Sequence, residues 1–409
     1  MRLKAKHLTL LLGIGLASAA ATGAWAQNSP KFEAWLKAAK LGVHQGEDNW
    51  DEIIAAAKKE GALTVYSSAT TMTAVGEDFA KAYPEIKVQV FPLGSEKTIE
   101  KVLSEHQAGI HAVDVVYSGG TQQMVYELLP DRNIVNYVPG YLKDRIDEKH
   151  REPLLTQNIE AFAITYNGAA NTEPPIKNIW ELTEPKWKRR FIMKAPVGSA
   201  TTATALAAFI ERSDELSKAY EAYAGKKLEL SKGVENAGYE FLHRILANDV
   251  VIQANSGKLA EASGKAGQKN PPITLAPMAY LPRNETDGYV NVAAYDLVPS
   301  GIVTYPNFIA IGGQAPHPNA AKLFIAFMMG SKDLNKDSKL TPPFRTGETG
   351  KLLQGMAPFF RIGSFSPRKD MPMPPNGERW PAAAKWQASP EFVRDNIAKL
   401  NDFWLSRAN

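Results

Sequence analysis

Apolar and polar positions along the chain switch repeatedly between helical and strand periodicity. From Trp50 onward, segments with apolar residues three or four apart alternate with short apolar runs. The first predicted elements are a helix at 51–59, a strand at 62–66, a helix at 74–82, a strand at 86–91, a helix at 96–107 and a strand at 113–117. Because strands joined through helices usually pair in parallel, this pattern predicts an α/β fold.

Two longer apolar strands, at 159–166 and 302–311, divide the chain. We interpret them as the two crossings between two α/β lobes, which would form a hinge that closes about a ligand. The predicted domains are a signal peptide at 1–26, lobe one at 27–163, lobe two at 164–300, a return to lobe one at 301–335 and a C-terminal extension at 336–409. Aromatic residues such as Trp380 and Trp404 predict that the extension packs, and we expect it on lobe one.

Later helices have clear sequence signals as well. The predicted segments are 31–41, 202–211, 238–247, 318–329 and 390–405.

The N-terminus is typical of a secretory signal peptide. Arg2, Lys4 and Lys6 precede an apolar run at 8–21, and the tripeptide 24–26 has small residues at its first and third positions. The apolar run is too short to cross about 30 Å of hydrocarbon as an anchor. We therefore expect an exported, soluble protein in the periplasm.

Composition narrows the functional classes. The chain has no cysteine, which excludes disulfides and thiolate metal sites. Its formal charge of +4 falls to +1 once Arg2, Lys4 and Lys6 are removed, so neither nucleic acid nor an anionic membrane is indicated as a partner. We expect a monomer without a cofactor or a resident metal.

Short hydroxyl side chains and glycine follow two of the predicted parallel strands. Ser67, Ser68 and Thr70 follow the strand at 62–66, and Ser118 and Gly119 follow the strand at 113–117. Ligands of parallel sheets bind at the carboxyl ends of the strands. These five residues are therefore candidate ligand contacts.

A third candidate segment lies at 183–202. A proline-marked turn leads into a predicted strand at 190–194, and a Pro-Val-Gly bend then opens a helix whose start carries Ser199, Thr201 and Thr202. The first N–H groups of a helix lack intrahelical partners and carry partial positive charge, so this start could bind an anion. An ordinary N-cap is the simpler alternative.

Three larger side chains complete the candidate set. Arg283 could bind an oxyanion through two N–H groups, although the polar run at 283–285 is also typical of a surface turn. Tyr280 could donate its hydroxyl to a ligand or serve as a core aromatic. We expect Tyr305, beside Thr304 and Pro306, to form a wall of the cleft.

Four segments resemble one protein family. They are 183–202, with Pro185-Lys186-Trp187-Lys188, and the runs 55–65, 114–118 and 314–327. In their order along the chain, these segments resemble bacterial periplasmic solute-binding proteins of the ferric-iron and phosphonate type, which serve ABC importers. The resemblance implies a type II periplasmic binding protein fold, one small ligand in the cleft between two lobes, and an ABC permease as partner.

The same resemblance exposes a difference. Ferric-binding members generally hold iron with two adjacent tyrosines, often with a histidine and a carboxylate, whereas Tyr280 stands alone here and the loop 67–73 has no histidine. Bare ferric iron needs several hard anionic oxygens. A phosphonate, an organic phosphate, a carboxylate or a metal chelate fits the hydroxyl-rich loops better, and direct ferric binding remains the alternative.

Two other classes stay open at this point. A secreted hydrolase would need a recognisable site, and the sequence contains neither Gly-x-Ser-x-Gly nor His-Glu-x-x-His. A periplasmic sensor could use the same fold to report a ligand to a membrane kinase. Residue chemistry does not separate a sensor from an importer component, because both would share the cleft.

Overall fold

The structure is a computed structural model that describes residues 30–332, 353–374, 377 and 379–408. The predicted signal peptide at 1–26 lies outside the described residues, as does part of the C-terminal extension. Within the described part, no helix is long and apolar enough to cross a membrane.

The first part of the chain folds as strands alternating with helices. Its elements are α1 (Pro30–Ala39), α2 (Trp50–Glu60), β1 (Ala62–Ser67), α3 (Met72–Ala82), β2 (Lys87–Pro92), α4 (Ser95–Gln107), β3 (Val115–Ser118), α5 (Thr121–Gln123, continued as a π-helix over Met124–Leu128) and β4 (Ile134–Val135). The predicted elements agree with these to within about two residues at each end. Local signals explain the agreement in α2, where Asn49 accepts from the Glu52 N–H and Gly61 ends the helix at a φ of 69°.

The remaining elements include the seven segments predicted after residue 150, together with eight that were not predicted. They are β5 (Leu155–Asn167), β6 (Phe191–Met193), α6 (Ala200–Glu211), α7 (Ser213–Ala224), α8 (Ala237–Ala247), β7 (Val251–Ile252), α9 (Ser256–Gly264), β8 (Ile273–Pro277), α10 (Arg283–Thr286), β9 (Asn291–Ala293), β10 (Ile302–Gly312), α11 (Pro318–Met329), α12 (Ala357–Arg361), β11 (Lys385–Trp386) and α13 (Pro390–Leu405). The helices α11 and α13 have the predicted bounds. Pro318 and Pro390 occupy the first helical position in each.

All these strands join one mixed sheet. Its main path runs β2-β1-β3-β10-β5-β8-β6-β7. The strands β1, β2 and β3 are mutually parallel, as the alternation of strands and helices predicted, and so are β6, β7 and β8. Between the two parallel sets lies the antiparallel pair β5–β10, the two strands expected to form the hinge.

The pairing register shows where a cleft forms. Along β10, residues 308–311 pair with β3 of the first set, and Ser118 at the carboxyl end of β3 lies opposite Phe308. Nearer the amino end of β10, Val303 pairs with Phe162 of β5, and Phe162 pairs in turn with Pro277 at the carboxyl end of β8. The carboxyl ends of the two sets therefore face each other across residues 304–307 of β10 and 158–161 of β5, which we call the cleft floor.

Two large hydrophobic cores flank this floor. One contains α2, α3 and α11 with the buried side of β1 and β3, and we call the part of the molecule around it lobe one. The other contains α6, α8 and the buried side of β8, and defines lobe two. The cores are separate because the intervening strip of β5 and β10 carries polar residues, including Asn158, Glu160 and Asn307.

The C-terminal extension departs from the expectation that it packs on lobe one. Its first described part does so, since Phe359 and Phe360 are buried in the lobe-one core. The final helix α13 packs instead in the lobe-two core through Val393, Leu400 and Trp404. The apolar stripe of α13 could be recognised in the sequence, but its packing partner α6 lies about 190 residues away, and no local signal specifies such a contact.

Candidate functional site

The loop after β1 contributes two serines of different character. The Ser67 hydroxyl is fully buried and bonds within its own turn, accepting from the Ala69 N–H at 3.0 Å and lying 3.0 Å from the Ala69 carbonyl. The half-buried Ser68 hydroxyl instead accepts from the Gly119 N–H at 3.3 Å. Ser68 thus joins the two candidate loops of lobe one, while Thr70 is exposed.

The loop after β3 lies directly against the cleft floor. The buried Ser118 hydroxyl accepts from the Gly120 N–H at 3.0 Å. A Cβ added at Gly119 would lie 2.7 Å from Asn307 Oδ1 and 3.6 Å from Tyr305 Cε2. Glycine is therefore needed at position 119 so that this loop can approach β10.

The start of α6 leaves its N–H groups without a side-chain cap. Ser199 occupies the N-cap position, but its hydroxyl lies 2.9 Å from Thr202 Oγ1 and caps no backbone N–H. Ser199 and Thr202 are buried, and Thr201 is half-buried. Ser199 therefore does not act as an ordinary N-cap, and the first N–H groups of α6 are available to a ligand.

A cavity of about 280 Å³ joins the two lobes at this point. Lobe one contributes Leu93, Gly94, Ser95, Glu96 and Lys97, and lobe two contributes Lys194, Gly198, Ser199, Ala200 and Thr201. These residues contain the beginnings of both α4 and α6. Two helix N-termini therefore open into one cavity, and both favour negative charge there.

Lys194 is the half-buried cation of this cavity, whereas Lys97 on the opposite side is exposed. The sequence analysis did not single out Lys194. Its side chain is half-buried, and burial lowers the pKa of its ammonium group. Among the described residues it has neither a hydrogen bond nor an ion pair. The sequence feature that could have identified Lys194 is its position at the end of a short apolar strand, immediately before the bend that leads into α6.

Arg283 forms contacts within the protein, which agrees with the alternative that it belongs to a polar turn. Its Nε donates to Asp287 Oδ2 at 2.6 Å, and its Nη1 donates to the Gly257 carbonyl at 3.3 Å. The half-buried Tyr280 lies beside the same glycine, with Cε1 at 3.7 Å from a Cβ built there. The guanidinium is thus already paired with a carboxylate, which weakens its case as the main anion contact.

Tyr305 forms part of the cleft floor. Its hydroxyl donates to Glu160 Oε2 at 2.7 Å, across the antiparallel pair of β10 and β5. Burial raises the pKa of both groups, and the Glu160 charge raises that of Tyr305 further. This places a carboxylate on the floor that the sequence analysis did not identify, because it depends on strand register.

Nine of the ten candidate residues fall into three groups. Ser67, Ser68, Ser118 and Gly119 meet through the Ser68–Gly119 hydrogen bond and reach Tyr305 on the floor. Ser199 and Thr201 line the cavity, and Tyr280 and Arg283 meet at Gly257. Thr70 takes no part in these contacts. Within the described ranges, no three His, Asp or Glu side chains are grouped so that they could hold a metal ion.

Comparisons with known proteins agree with this architecture. Residues 74–346 match the model of a family described as bacterial extracellular solute-binding protein. No curated protein sequence matches the chain.

Several solved structures share the fold at low sequence identity. Iron-bound HitA from Pseudomonas aeruginosa superposes with a TM-score of 0.61 at 17% identity, over 83% of this chain and 98% of that one. The apo ferric ion-binding protein A of Pasteurella haemolytica gives 0.62 at 12% identity, over 85% and 97%. The substrate-binding protein of an ABC transporter from Agrobacterium tumefaciens gives 0.59 at 14% identity, over 85% and 94%.

The chain belongs to the bacterial extracellular solute-binding protein family, since the family model covers more than half of it. Its fold is that of a type II periplasmic binding protein, with two α/β lobes and a cleft between them. Proteins of this family bind solutes for ABC transporters and are not enzymes.

Proposed function

We propose that this protein captures a small anionic solute in the cleft and passes it to an ABC permease from the periplasm. The solute class comprises phosphonates, organic phosphates, carboxylates and metal chelates. The observation that supports an anion is Lys194, a half-buried cation without a partner among the described residues, in a cavity where α4 and α6 both begin. An anion there would pair with Lys194 and with the free N–H groups of α6.

The contacts available are sufficient for useful affinity. A micromolar ligand needs about 8 kcal/mol of binding free energy. One helix N-terminus contributes only about 0.3–1 kcal/mol through its dipole, whereas each hydrogen bond to a charged group contributes about 1.5–3 kcal/mol. Lys194 with four or five N–H and hydroxyl donors would reach the required value after ordering costs. Closure of the lobes would bring donors from both sides onto one ligand.

Two further structures of similar fold hold a metal chelate or an organic acid. One is the Trichodesmium protein IdiA (FutA) in complex with iron and citrate, with a TM-score of 0.56 at 15% identity. The other is AgtB from A. tumefaciens in complex with agropinic acid, with a TM-score of 0.54 at 14% identity. At such identity these ligands cannot be transferred to the present cleft, but they define compounds worth testing.

Thermal-shift measurements on the purified protein test the proposal. The panel contains inorganic phosphate, alkylphosphonates, sugar phosphates, citrate, ferric citrate and, as a cationic control, spermidine. An anion at one hundred times its Kd should add about 2.7 kcal/mol and raise the melting temperature by several degrees. The double variant Ser199→Ala with Thr201→Ala should bind that anion at least tenfold more weakly, because both hydroxyls line the cavity.

The outcomes separate the alternatives. Stabilisation by spermidine but by none of the anions would overturn the anionic assignment. Stabilisation by ferric iron offered without citrate or phosphate would favour direct iron binding, with Tyr280 as the first ligand to replace. Unchanged affinity in the double variant would remove the start of α6 from the site.

A further inference from the structure

The C-terminal extension connects the two lobes a third time, after β5 and β10. Its residues from Leu353 to Met371 contribute to the lobe-one core, and those from Trp386 to Trp404 contribute to the lobe-two core. The chain must therefore pass from one lobe to the other between Met371 and Trp386. The described residues of this passage lie beside the hinge.

Described residues of the C-terminal extension attach to both hinge strands. Phe365 exchanges two backbone hydrogen bonds with Ile159 of β5, at 2.7 and 2.9 Å. Trp380 stacks on Phe365 with ring centroids 3.6 Å apart and an interplanar angle of 16°. On the other side of the ribbon, β11 pairs in parallel with residues 302–303 of β10, and the Thr304 hydroxyl donates to the Trp386 carbonyl at 3.1 Å.

The last helix also touches both lobes. One face of α13 packs on α6, and the Ser389 hydroxyl at its start donates to Glu211 at the end of α6 at 2.8 Å. From the same helix, the Arg394 guanidinium lies 4.3 Å from the ring centroid of Tyr126, in the π-helical continuation of α5 in lobe one. The helices α5 and α6 begin at the loops that face the cleft. The Arg394–Tyr126 contact therefore spans the lobes.

We propose that the C-terminal extension is a brace that limits the opening of the lobes. Rotation of one lobe about the β5–β10 ribbon would separate Tyr126 from α13, because α13 is held in the lobe-two core. It would also strain the Phe365–Ile159 and β10–β11 contacts, which attach the C-terminal extension to both hinge strands. The brace thus favours the closed arrangement before any ligand binds.

The brace can be measured without a ligand, so its test is independent of the proposed function. The chain contains no cysteine, and Glu77 on α3 and Lys218 on α7 are exposed on different lobes. Spin labels attached to the double variant Glu77→Cys with Lys218→Cys report the distance between the lobes by pulsed electron–electron double resonance. Arg394→Ala and Tyr126→Leu, each made in this background, remove the contact from opposite sides.

A matched control lies on the same helix. Arg407 stacks on Phe403, also of the α13 region, with 4.1 Å between its guanidinium and the ring centroid, so Arg407→Ala removes an arginine–aromatic pair that does not span the lobes. We expect Arg394→Ala and Tyr126→Leu to shift the distance distribution toward longer separations, with a two- to fivefold higher ratio of open to closed protein, as an exposed contact of this kind implies. The Arg407→Ala distribution should match that of the parent.

Two results would overturn the proposal. One is that Arg394→Ala and Tyr126→Leu both give the distribution of the parent. The other is that Arg407→Ala broadens the distribution as much as Arg394→Ala does, which would indicate general loosening of the helix. Thermal unfolding followed by circular dichroism confirms that each variant is folded, and Tyr126→Leu keeps the test available should Arg394→Ala fail to fold.

Discussion

Replacement of Lys194 by glutamine tests the central feature of the cleft. In the unliganded protein the ammonium group is half-buried and has no carboxylate or carbonyl partner among the described residues, so burial penalises its charged form and lowers its pKa. Lys194→Gln removes the charge but keeps a polar group of similar reach. The variant should therefore change stability and binding in opposite directions.

The magnitudes follow from burial and charge. Loss of a charge-assisted contact to a bound anion costs about 1.5–3 kcal/mol, which corresponds to about 10- to 150-fold weaker binding. In the absence of ligand, relief of the desolvation cost should raise the free energy of unfolding by about 0.5–1 kcal/mol, the low end for a group that is only half-buried. For a chain of this size the melting temperature should rise by about 1–2 °C.

Two assays and one control measure these effects. Isothermal titration calorimetry with the panel anions, beginning with inorganic phosphate and citrate, gives affinity, and urea unfolding without ligand gives stability. Lys97→Gln is the matched control, because Lys97 lines the same cavity from lobe one but is exposed. Its charge is screened by solvent, so binding should weaken by less than about threefold.

Either of two results would refute this reasoning. Equal affinity of Lys194→Gln and the parent for every anion would show that Lys194 does not contact the ligand. A loss of stability in the unliganded variant would show that the ammonium group has a stabilising partner. Equal weakening by Lys97→Gln would instead point to a diffuse electrostatic effect.

Other regions give further predictions. Burial and the neighbouring His111 lower the pKa of His106 to about 4, so the folded protein keeps this imidazole neutral. Above the unfolded pKa of about 6.5, His106 therefore leaves the free energy of unfolding unchanged. As the pH falls toward 4, it lowers the free energy of unfolding by about 1–2 kcal/mol, after allowance for the part of the ring that water reaches. Urea unfolding at pH 7.5 and 4.5 should show this loss in the parent and a smaller one in His106→Gln. Gly238→Ala should destabilise the protein by at least about 2 kcal/mol in the same assay, because the new Cβ would lie 2.5 Å from the Ile210 Cα, whose backbone cannot yield easily. Gly119→Ala should weaken anion binding more than it lowers the melting temperature, since its Cβ would push the loop from the cleft floor, and a pure stability loss would contradict that role.

Much of the local structure could be predicted from short segments. The bounds of α11 and α13 follow from proline at the first helical position and a regular apolar stripe, and the end of α2 follows from Gly61. Parallel pairing of β1, β2 and β3 follows from their connection through helices. These signals act over a few residues or through chain connectivity, so they survive without knowledge of the tertiary contacts.

Part of the candidate site could be anticipated for the same reason. The start of α6 and the loops after β1 and β3 were recognisable because ligands approach the carboxyl ends of parallel strands. The roles of individual side chains were less accessible. Arg283 pairs with Asp287 one helical turn away, whereas Lys194 has no ion pair among the described residues, although Glu96 of α4 lines the same cavity.

Local sequence patterns were enough to predict the class of fold, much of the order of the elements and the candidate ligand loops, because periodicity, proline, glycine and hydroxyl residues act locally. Three features became visible only in the folded chain: α4 and α6 begin at one cavity, Tyr305 pairs with Glu160 across the hinge, and α13 packs on lobe two while contacting Tyr126 of lobe one. Each of these features depends on strand register or on contacts between residues about 100 or more positions apart. Such contacts form only when the whole chain buries its apolar surface together.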